Sequence, residues 1–306
     1  MINRDFNSIL ELLKEFDTEQ KCIEHLEALR WNGYVVSPFD VSSKVYKCKD
    51  NKYRCKNTGK YFNVKTDTLF DSSKIKLQKW FLAIWLITSH KKGISSMQLA
   101  RDIDVTQKTA WFMLQRIRKC FGIENNNDLD NQVEVDETYV GGKNKNRHAD
   151  KKVDCSQGRS TKDKTPVVGM IERGGKLNAR KVSDVGIRTL TNEIVCNVKE
   201  TANIFTDEWV GYDEISKMYN HSIVKHSQKE YVNGNAHTNT IEGFWSLLKR
   251  GIIGIYHFTS RKHLQNYVDE FVFRYNTRKS AECDRFNLLL ANTEVRTTYR
   301  RLIANG

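Results

Sequence analysis

The chain has 306 residues, which is enough for two or three domains with apolar cores. Its 50 Lys and Arg residues against 37 Asp and Glu give a net charge of +13, which favours a polyanionic partner such as nucleic acid. Seven scattered cysteines argue against a secreted disulfide framework, and no apolar run approaches the ~20 residues that span a bilayer. These features predict a soluble cytoplasmic protein with no membrane partner.

Residues 1–72 are predicted to form N-terminal helices followed by a ribbon of short strands. The helical spacing of apolar residues over 1–30 gives way to strand-like alternation over 31–70. The ribbon has two knuckle-like spacings, Ser37-x-x-Asp40 and Cys55-x-x-Thr58, but a structural zinc site needs four Cys or His ligands. Cys55 is the one good ligand among these four positions, so we expect a metal-free ribbon.

Residues 73–123 are predicted to be helical and to contain a helix-turn-helix. Ser95 or Ser96 would cap its first helix, Asp104 would lie in the turn and Thr106 would cap its second helix. The second helix would keep a basic and polar face outside, able to meet phosphates or base edges. The alternative is a plain helical hairpin with a solvated basic face. The candidate DNA-binding residues here are Lys108, Gln115, Arg116, Arg118 and Lys119.

The second half of the chain is predicted to contain a linker over 124–132, a domain of mixed strands and helices over 133–282, and a basic tail over 283–306. Within the domain, residues 141–164 carry eight Lys and Arg against three Asp. A charged segment of this kind is usually solvated, but its position directly after a candidate catalytic strand would also allow it to contact DNA. The candidate DNA-binding residues in it are Lys143, Lys145 and Arg147.

Three carboxylates in this domain fit a site that transfers phosphoryl groups with two magnesium ions. Asp136 lies in the strand-like QVEVDETYV, Asp207 ends the strand-like NIFTD, and Glu242 lies in the first turn of a predicted helix, with 70 and then 34 residues between them. Magnesium prefers carboxylate oxygens, and two ions stabilise both the attacking and the leaving oxygen of a phosphodiester. Lys249, two helical turns after Glu242, projects from the same side.

Each carboxylate also has a purely structural interpretation. Asp136 could pair with Glu134 on a half-exposed strand, and Asp207 could cap the following helix. Glu242 with Asn239 fits a capping-box arrangement at a helix start. If the three carboxylates are purely structural, all three interpretations must be true at once. Their order along the chain, two strands and then a helix start, would then match that of a catalytic site by coincidence.

The motifs VEVDETYVGG, IFTDEWVGY and HTNTIEGFWSLLKRGIIGIYHF resemble bacterial insertion-sequence transposases of the DDE class. The branch is the ISXO-like one, with a ribbon module before a retroviral-integrase-like (RNase H-like) domain, so the resemblance implies a multidomain α+β and α/β fold with a mixed sheet flanked by helices. It implies that Asp136, Asp207 and Glu242 bind two Mg²⁺, with Mn²⁺ as a substitute. Asn239 and Lys249 match positions of an extended signature, and Asn239 competes with Glu242 for the third catalytic position.

The same resemblance implies cysteines where this sequence has Ser37, Asp40 and Thr58, so three of four zinc ligands are missing. It implies a transposase that binds the inverted repeats of its element, cleaves the strands and joins them to target DNA, as a homo-oligomer on double-stranded DNA in the bacterial nucleoid. Two alternatives remain open. One is an RNase H-like nuclease without strand transfer, and the other is a decayed or repurposed transposase that only binds DNA.

Overall fold

A computed structural model describes residues 6–141, 148–154, 160–224 and 237–304. The chain divides into two compact units. The first unit contains residues 1–120 together with residues 279–306, and the second contains residues 121–278. The segment predicted as a linker, 124–132, therefore lies within the second unit, and the predicted tail lies within the first. No helix among the described residues combines the length and apolar character needed to cross a bilayer.

The first unit is built mainly from helices, most of which begin at a Ser or Thr cap. Ser95 and Thr106 accept hydrogen bonds from Gln98 N and Thr109 N, and so cap the two helices of the predicted helix-turn-helix. Asp104 lies between them at φ 49°, in the left-handed region that the sequence predicted for it. The helices are α1 (Ile9–Glu15), α2 (Glu19–Trp31), α3 (Leu77–Ser89), α4 (Ser96–Asp102), α5 (Gln107–Arg118), α9 (Glu282–Ala291) and α10 (Tyr299–Ile303).

The predicted ribbon is a three-stranded antiparallel sheet, called the small sheet below. Its strands are β1 (Val45–Lys47), β2 (Tyr53–Cys55) and β3 (Tyr61–Phe62), in the order β1-β2-β3. One face is buried, since Tyr53 stacks on Phe62 at 5.7 Å between ring centroids and Trp31 of α2 packs edge-on against Tyr53 at 5.2 Å. Aromatic packing thus holds the small sheet against α2.

The second unit contains a mixed five-stranded sheet whose order is β6-β5-β4-β7-β8. β5 pairs antiparallel with both β6 and β4, whereas β7 pairs parallel with both β4 and β8. The strands are β4 (Gln132–Val140), β5 (Thr165–Glu172), β6 (Leu177–Lys181), β7 (Asn203–Asp207) and β8 (Asn220–Val224). The helices are α6 (Ile187–Asn197), α7 (Asn239–Gly251) and α8 (Leu264–Asn276), with a 3₁₀-helix over Val210–Lys217 and a turn of π-helix over Ile252–Tyr256.

Both faces of this sheet are covered by helices, which explains why β5 is buried along almost its whole length. Val133 and Val135 of β4 pack in a cluster with α6 and the 3₁₀-helix. The other face of the sheet packs against α7 and α8. Since side chains alternate along a strand, Glu134 and Asp136 lie on the face that α7 covers.

Candidate functional site

The first two candidate carboxylates lie on neighbouring parallel strands, Asp136 in the middle of β4 and Asp207 at the end of β7. Glu134 of β4 pairs with Phe205 of β7, and both strands continue two residues further to Asp136 and Asp207. A two-residue step keeps a side chain on the same face, so both aspartates point to the α7 side of the sheet. The structure therefore brings together two residues that have 70 residues between them in the sequence.

Asp136 lies in an environment that resists a negative charge. Burial raises the pKa of its carboxyl to about 7, helped by the negative charges of Glu137 and Asp207, although hydrogen bonds from the Glu137 amide and Trp245 oppose the shift. Glu137 itself points to the opposite face, where its Oε2 accepts a hydrogen bond from Tyr212 at 2.9 Å. A cation between the aspartates would relieve this like-charge repulsion.

The start of α7 is fixed by a carboxylate from the sheet. Its N-cap, Thr238, makes no capping bond with its side chain. Instead, Glu134 Oε2 accepts hydrogen bonds from the backbone amides of Thr240 (2.9 Å) and Ile241 (3.0 Å), and its Oε1 accepts one from the Thr240 hydroxyl. A buried carboxylate at this position satisfies first-turn amides and interacts favourably with the helix dipole.

Arg173 completes the attachment of α7 to β4. Its Nε donates to Glu134 Oε1 at 2.7 Å and one Nη donates to the His237 carbonyl, also at 2.7 Å, while its guanidinium lies 4.3 Å from the Phe205 ring centroid. Glu134 is completely buried, so this ion pair compensates for its lost hydration. The structural alternative that pairs Glu134 with Asp136 is not formed, because Glu134 is engaged by Arg173 and α7. Glu134 also takes the place of the alternative Asn239–Glu242 capping box.

Close packing brings α7 directly over Asp136. Trp245 Nε1 donates to Asp136 Oδ2 at 3.0 Å. Below it, a Cβ built on Gly169 of β5 would lie 2.6 Å from the Trp245 ring and 2.9 Å from Ile241 Cδ1. Only a residue without a side chain allows this approach, so Gly169 sets how closely the helix approaches the sheet.

The remaining candidates form an exposed stripe along α7. Glu242 precedes Trp245 by one helical turn, and Asn239, Glu242 and Lys249 are all exposed. Glu242 Oε1 accepts a hydrogen bond from the Thr238 hydroxyl at 3.1 Å. Asp207 Oδ1 accepts one from the Trp209 amide at 3.0 Å, which is the local turn bond that a structural interpretation of Asp207 predicts. Within the described ranges, no three His, Cys, Asp or Glu side chains converge closely enough to hold one ion.

The candidate DNA-binding residues separate into three groups. Lys108 is exposed, with its Nζ 5.0 Å from the Tyr299 ring centroid, and Lys119 is half-buried. The expected exposure is wrong for three residues, which are buried: Gln115, Arg116 and Arg118. For Arg116 the reason is that its guanidinium donates to the Thr297 and Asp71 carbonyls in the interior of the first unit. The loop residues Lys143, Lys145 and Arg147 lie outside the described residues.

The two knuckle segments of the small sheet do converge, although without a zinc ligand set. Burial alone would raise the pKa of the Cys55 thiol, but hydrogen bonds from Ser37, Ser43 and Thr58 lower it to about 6. Asp40 is engaged separately, accepting hydrogen bonds from Asn57 at 2.8 Å and from Ser42. Hydroxyl and amide groups thus engage the side chains at this point of the ribbon.

Sequence reasoning missed Glu134, Arg173 and Gly169 as the residues that position α7. The one available signal was the glutamate two residues before Asp136, which alternation places on the same face. Its partners lie 39 residues (Arg173) and 106 residues (Thr240) further along the chain. Their convergence depends on the order of the strands, which composition and local pattern do not specify.

Comparison with known proteins identifies the family. The profile of the ISXO2-like transposase domain matches residues 128–276. An uncharacterized protein in transposable element ISH50 of Halobacterium salinarum is 30% identical over 279 residues, which cover 86% of this chain and 92% of that protein.

Two crystal structures of Mos1 complexes are weakly similar to the chain. The strand transfer complex is 12% identical over 71% of this chain and 79% of the other, with a TM-score of 0.25. The pre-cleavage transpososome is 12% identical over 94% and 97%, with a TM-score of 0.24. These scores are too low to support a conclusion about this chain. The sequence relationships suffice, and the chain belongs to the ISXO2-like family of insertion-sequence transposases.

Proposed function

We propose that the protein is a magnesium-dependent DDE transposase, which binds the inverted repeats of its element, cleaves the DNA strands and joins them to target DNA. The observation that carries this proposal is the placement of Asp136 and Asp207 on one sheet face, with the helix that bears Glu242 packed against Asp136. Carboxylates from three separate elements are the donor set that a pair of magnesium ions requires. We further propose that the mixed sheet and its helices form an RNase H-like domain.

Each proposed catalytic residue has a role that follows from its position. Asp136 and Asp207 would hold the metal pair, and Glu242 would complete it after its side chain leaves Thr238. Asn239 is the alternative third ligand, one helical turn away. Lys249 would contact a phosphate beside the scissile bond. When bound, the ions activate the attacking water or 3′-hydroxyl and stabilise the leaving oxygen.

The proposed partner is double-stranded DNA, at the element ends and at the target, with the protein acting as a homo-oligomer in the nucleoid. The net charge of +13 supports a polyanionic partner. Exposed Lys108, half-buried Lys119 and the loop residues Lys143, Lys145 and Arg147 remain proposed DNA contacts.

The replacement Asp207→Asn tests the catalytic proposal. The amide keeps the size of the side chain and its turn bond but removes the charge that a metal ion needs. We expect Mg²⁺-dependent cleavage of a duplex carrying the proposed inverted repeats of the element to fall by at least about 10³-fold, with DNA binding retained. The measurement is the amount of nicked product on a denaturing gel beside a binding assay.

Asp213→Asn is the matched control, because Asp213 is exposed on the neighbouring 3₁₀-helix and should leave cleavage unchanged. Cleavage that survives Asp207→Asn would contradict the site. Supplying pre-nicked ends distinguishes the reaction type, since a transposase joins their 3′-hydroxyls to target DNA. Cleavage without joined products would instead identify a nuclease, and binding without either reaction would identify a protein that only binds DNA.

A further inference from the structure

The small sheet carries a large share of the positive charge of the molecule. Residues 41–66 contain eight Lys and Arg against a single acidic residue, Asp50, and so contribute +7 of the total +13. Asp50 lies in the turn between β1 and β2 rather than on a strand. A short segment with this charge attracts a polyanion strongly and makes its binding depend on salt.

The exposed face of the small sheet presents a row of three side chains across all three strands. Tyr46 of β1 pairs with Arg54 of β2, and Arg54 pairs with Tyr61 of β3. All three are exposed, with relative exposures of 43% for Tyr46 and 59% for Tyr61. The Arg54 guanidinium lies 5.8 Å from the Tyr61 ring centroid, so the row is ordered by its own contacts.

Exposed lysines extend this row. Lys44 and Lys56 are cross-strand neighbours, joined by a backbone hydrogen bond of 2.9 Å, and Lys44 Nζ lies 5.6 Å from the Tyr46 ring centroid. Lys52 precedes Arg54 by two residues and so projects from the same face. We call this set the ribbon face, and its members are Lys44, Tyr46, Lys52, Arg54, Lys56 and Tyr61.

The opposite face of the small sheet is packed against α2, so the ribbon face is already ordered before it binds a ligand. Tyr53, Cys55 and Phe62 are at most 5% exposed, and the rings of Tyr53 and Phe62 pack against Trp31 of α2. Because the sheet is fixed from behind, the exposed row loses little further conformational freedom when it meets a ligand.

We propose that the ribbon face is a binding surface for double-stranded DNA and lies in the major groove. Three strands are about 10 Å across from first to last, which suits a groove about 12 Å wide that is known to admit β-ribbons. Arg54, at the centre, has the forked donors that guanine accepts, and the lysines and tyrosines around it reach phosphates. This proposal rests on the proposed function, since it names where the transposase contacts its DNA.

A pair of charge-matched variants of the full chain tests the proposal. One variant carries Lys44→Gln, Lys52→Gln and Lys56→Gln on the ribbon face. The control carries Lys14→Gln, Lys91→Gln and Lys92→Gln, which are exposed lysines of the same unit outside the small sheet. Binding is measured by fluorescence anisotropy with a labelled duplex of roughly 30 base pairs over a range of salt concentrations, with a single strand of the same length in a parallel series.

We expect the ribbon-face variant to bind the duplex at least about tenfold more weakly at low salt. The slope of log K against log salt should fall by about 2.7, at about 0.9 for each lost phosphate contact. The control should change affinity less than about twofold and keep its slope. The unmodified chain should bind the duplex more tightly than the single strand.

Three results would overturn the assignment in distinguishable ways. Equal weakening in both triple variants means that DNA binds elsewhere, and the proposed function is unaffected. Tighter binding of the single strand, lost in Tyr46→Ala with Tyr61→Ala, means that the row stacks unpaired bases and does not enter a duplex groove. Absence of binding by the unmodified chain at low salt contradicts the proposed function itself.

Discussion

Cys55 lies where the two knuckle segments meet, and its surroundings are those of a stabilised thiolate. Ser37, Ser43 and Thr58 lie close to its sulfur and favour the thiolate, which offsets the effect of burial on the pKa. The sulfur therefore lies where the two knuckle segments approach each other. The sequence showed that three ligands were missing, but their replacement by hydroxyl donors from Ser37, Ser43 and Thr58 depends on the fold.

The pH dependence of stability tests this cluster. The pKa of Cys55 is about 6 in the folded chain against an ordinary value of 9, so the thiolate stabilises the folded state fully above pH 9, and this contribution is lost as pH falls towards 6. The unfolding free energy of the wild type minus that of Cys55→Ser should therefore rise from pH 6 to 9 and then level off. Chemical denaturation at a series of pH values measures the difference.

Cys120→Ser is the matched control for that series. Burial raises the pKa of the Cys120 thiol to about 12, so its replacement should give a difference that does not change between pH 6 and 9. A flat profile for Cys55→Ser as well would show that the hydroxyl cluster does not hold a thiolate.

At the scale of elements, the position of α7 depends on a single buried carboxylate. Glu134 accepts hydrogen bonds from two amides and a hydroxyl of α7 and is paired with Arg173, while Gly169 lets Trp245 and Ile241 approach the sheet. The same helix carries Glu242 and supplies the Trp245 bond to Asp136. Precision at the proposed metal site is thus set by side chains that do not take part in catalysis.

Removing the charge of Glu134 should loosen this attachment. Glu134→Gln leaves Arg173 without its ionic partner and weakens the cap on α7, so we expect a loss of about 3 kcal/mol in unfolding free energy. Denaturant titration measures the loss. Glu172→Gln on β5 is the control, because that half-buried glutamate binds Asn131 at the end of the sheet and should cost less than about 1 kcal/mol. Equal losses in the two variants would contradict the role of Glu134.

The elements differ in how far the sequence predicts them. Alternation and helical spacing depend on local residues, and they predicted the order of strands and helices around Asp136, Asp207 and Glu242. Local pattern also predicted an exposed basic face on α5, which is wrong for Arg116 because a segment about 180 residues later covers it. The ribbon face was not predicted from the sequence either, because only the register of the three strands places Tyr46, Arg54 and Tyr61 in one row.

At the scale of the whole molecule, the chain returns to its first unit after completing the second. Phe286 of α9 enters the aromatic core of that unit, with ring centroids 5.3 Å from Phe6 and 5.4 Å from Phe81. The segment after α9 is also attached through the backbone, because the Leu69 amide donates a hydrogen bond to the Thr293 carbonyl at 2.8 Å. The first unit therefore needs both ends of the chain, whereas the second is formed by one continuous segment.

This connectivity predicts that a core substitution near the C-terminus destabilises the N-terminal helices. Phe286→Ala empties a fully buried site among aromatic rings, so we expect the first unit to lose about 3–5 kcal/mol of unfolding free energy. Hydrogen exchange measured by mass spectrometry should show faster exchange in α1, α2 and α3, with little change in the β4 and β5 strands of the second unit.

Ile303→Ala is the control, because Ile303 lies in α10 near the same end of the chain but is 52% exposed. Its removal deletes a similar apolar side chain with little burial, so exchange in α1–α3 should stay close to that of the wild type. Faster exchange confined to α9 in Phe286→Ala would show that the N-terminal helices form a core without the returning segment. Faster exchange throughout both units would show that the two unfold as one cooperative body.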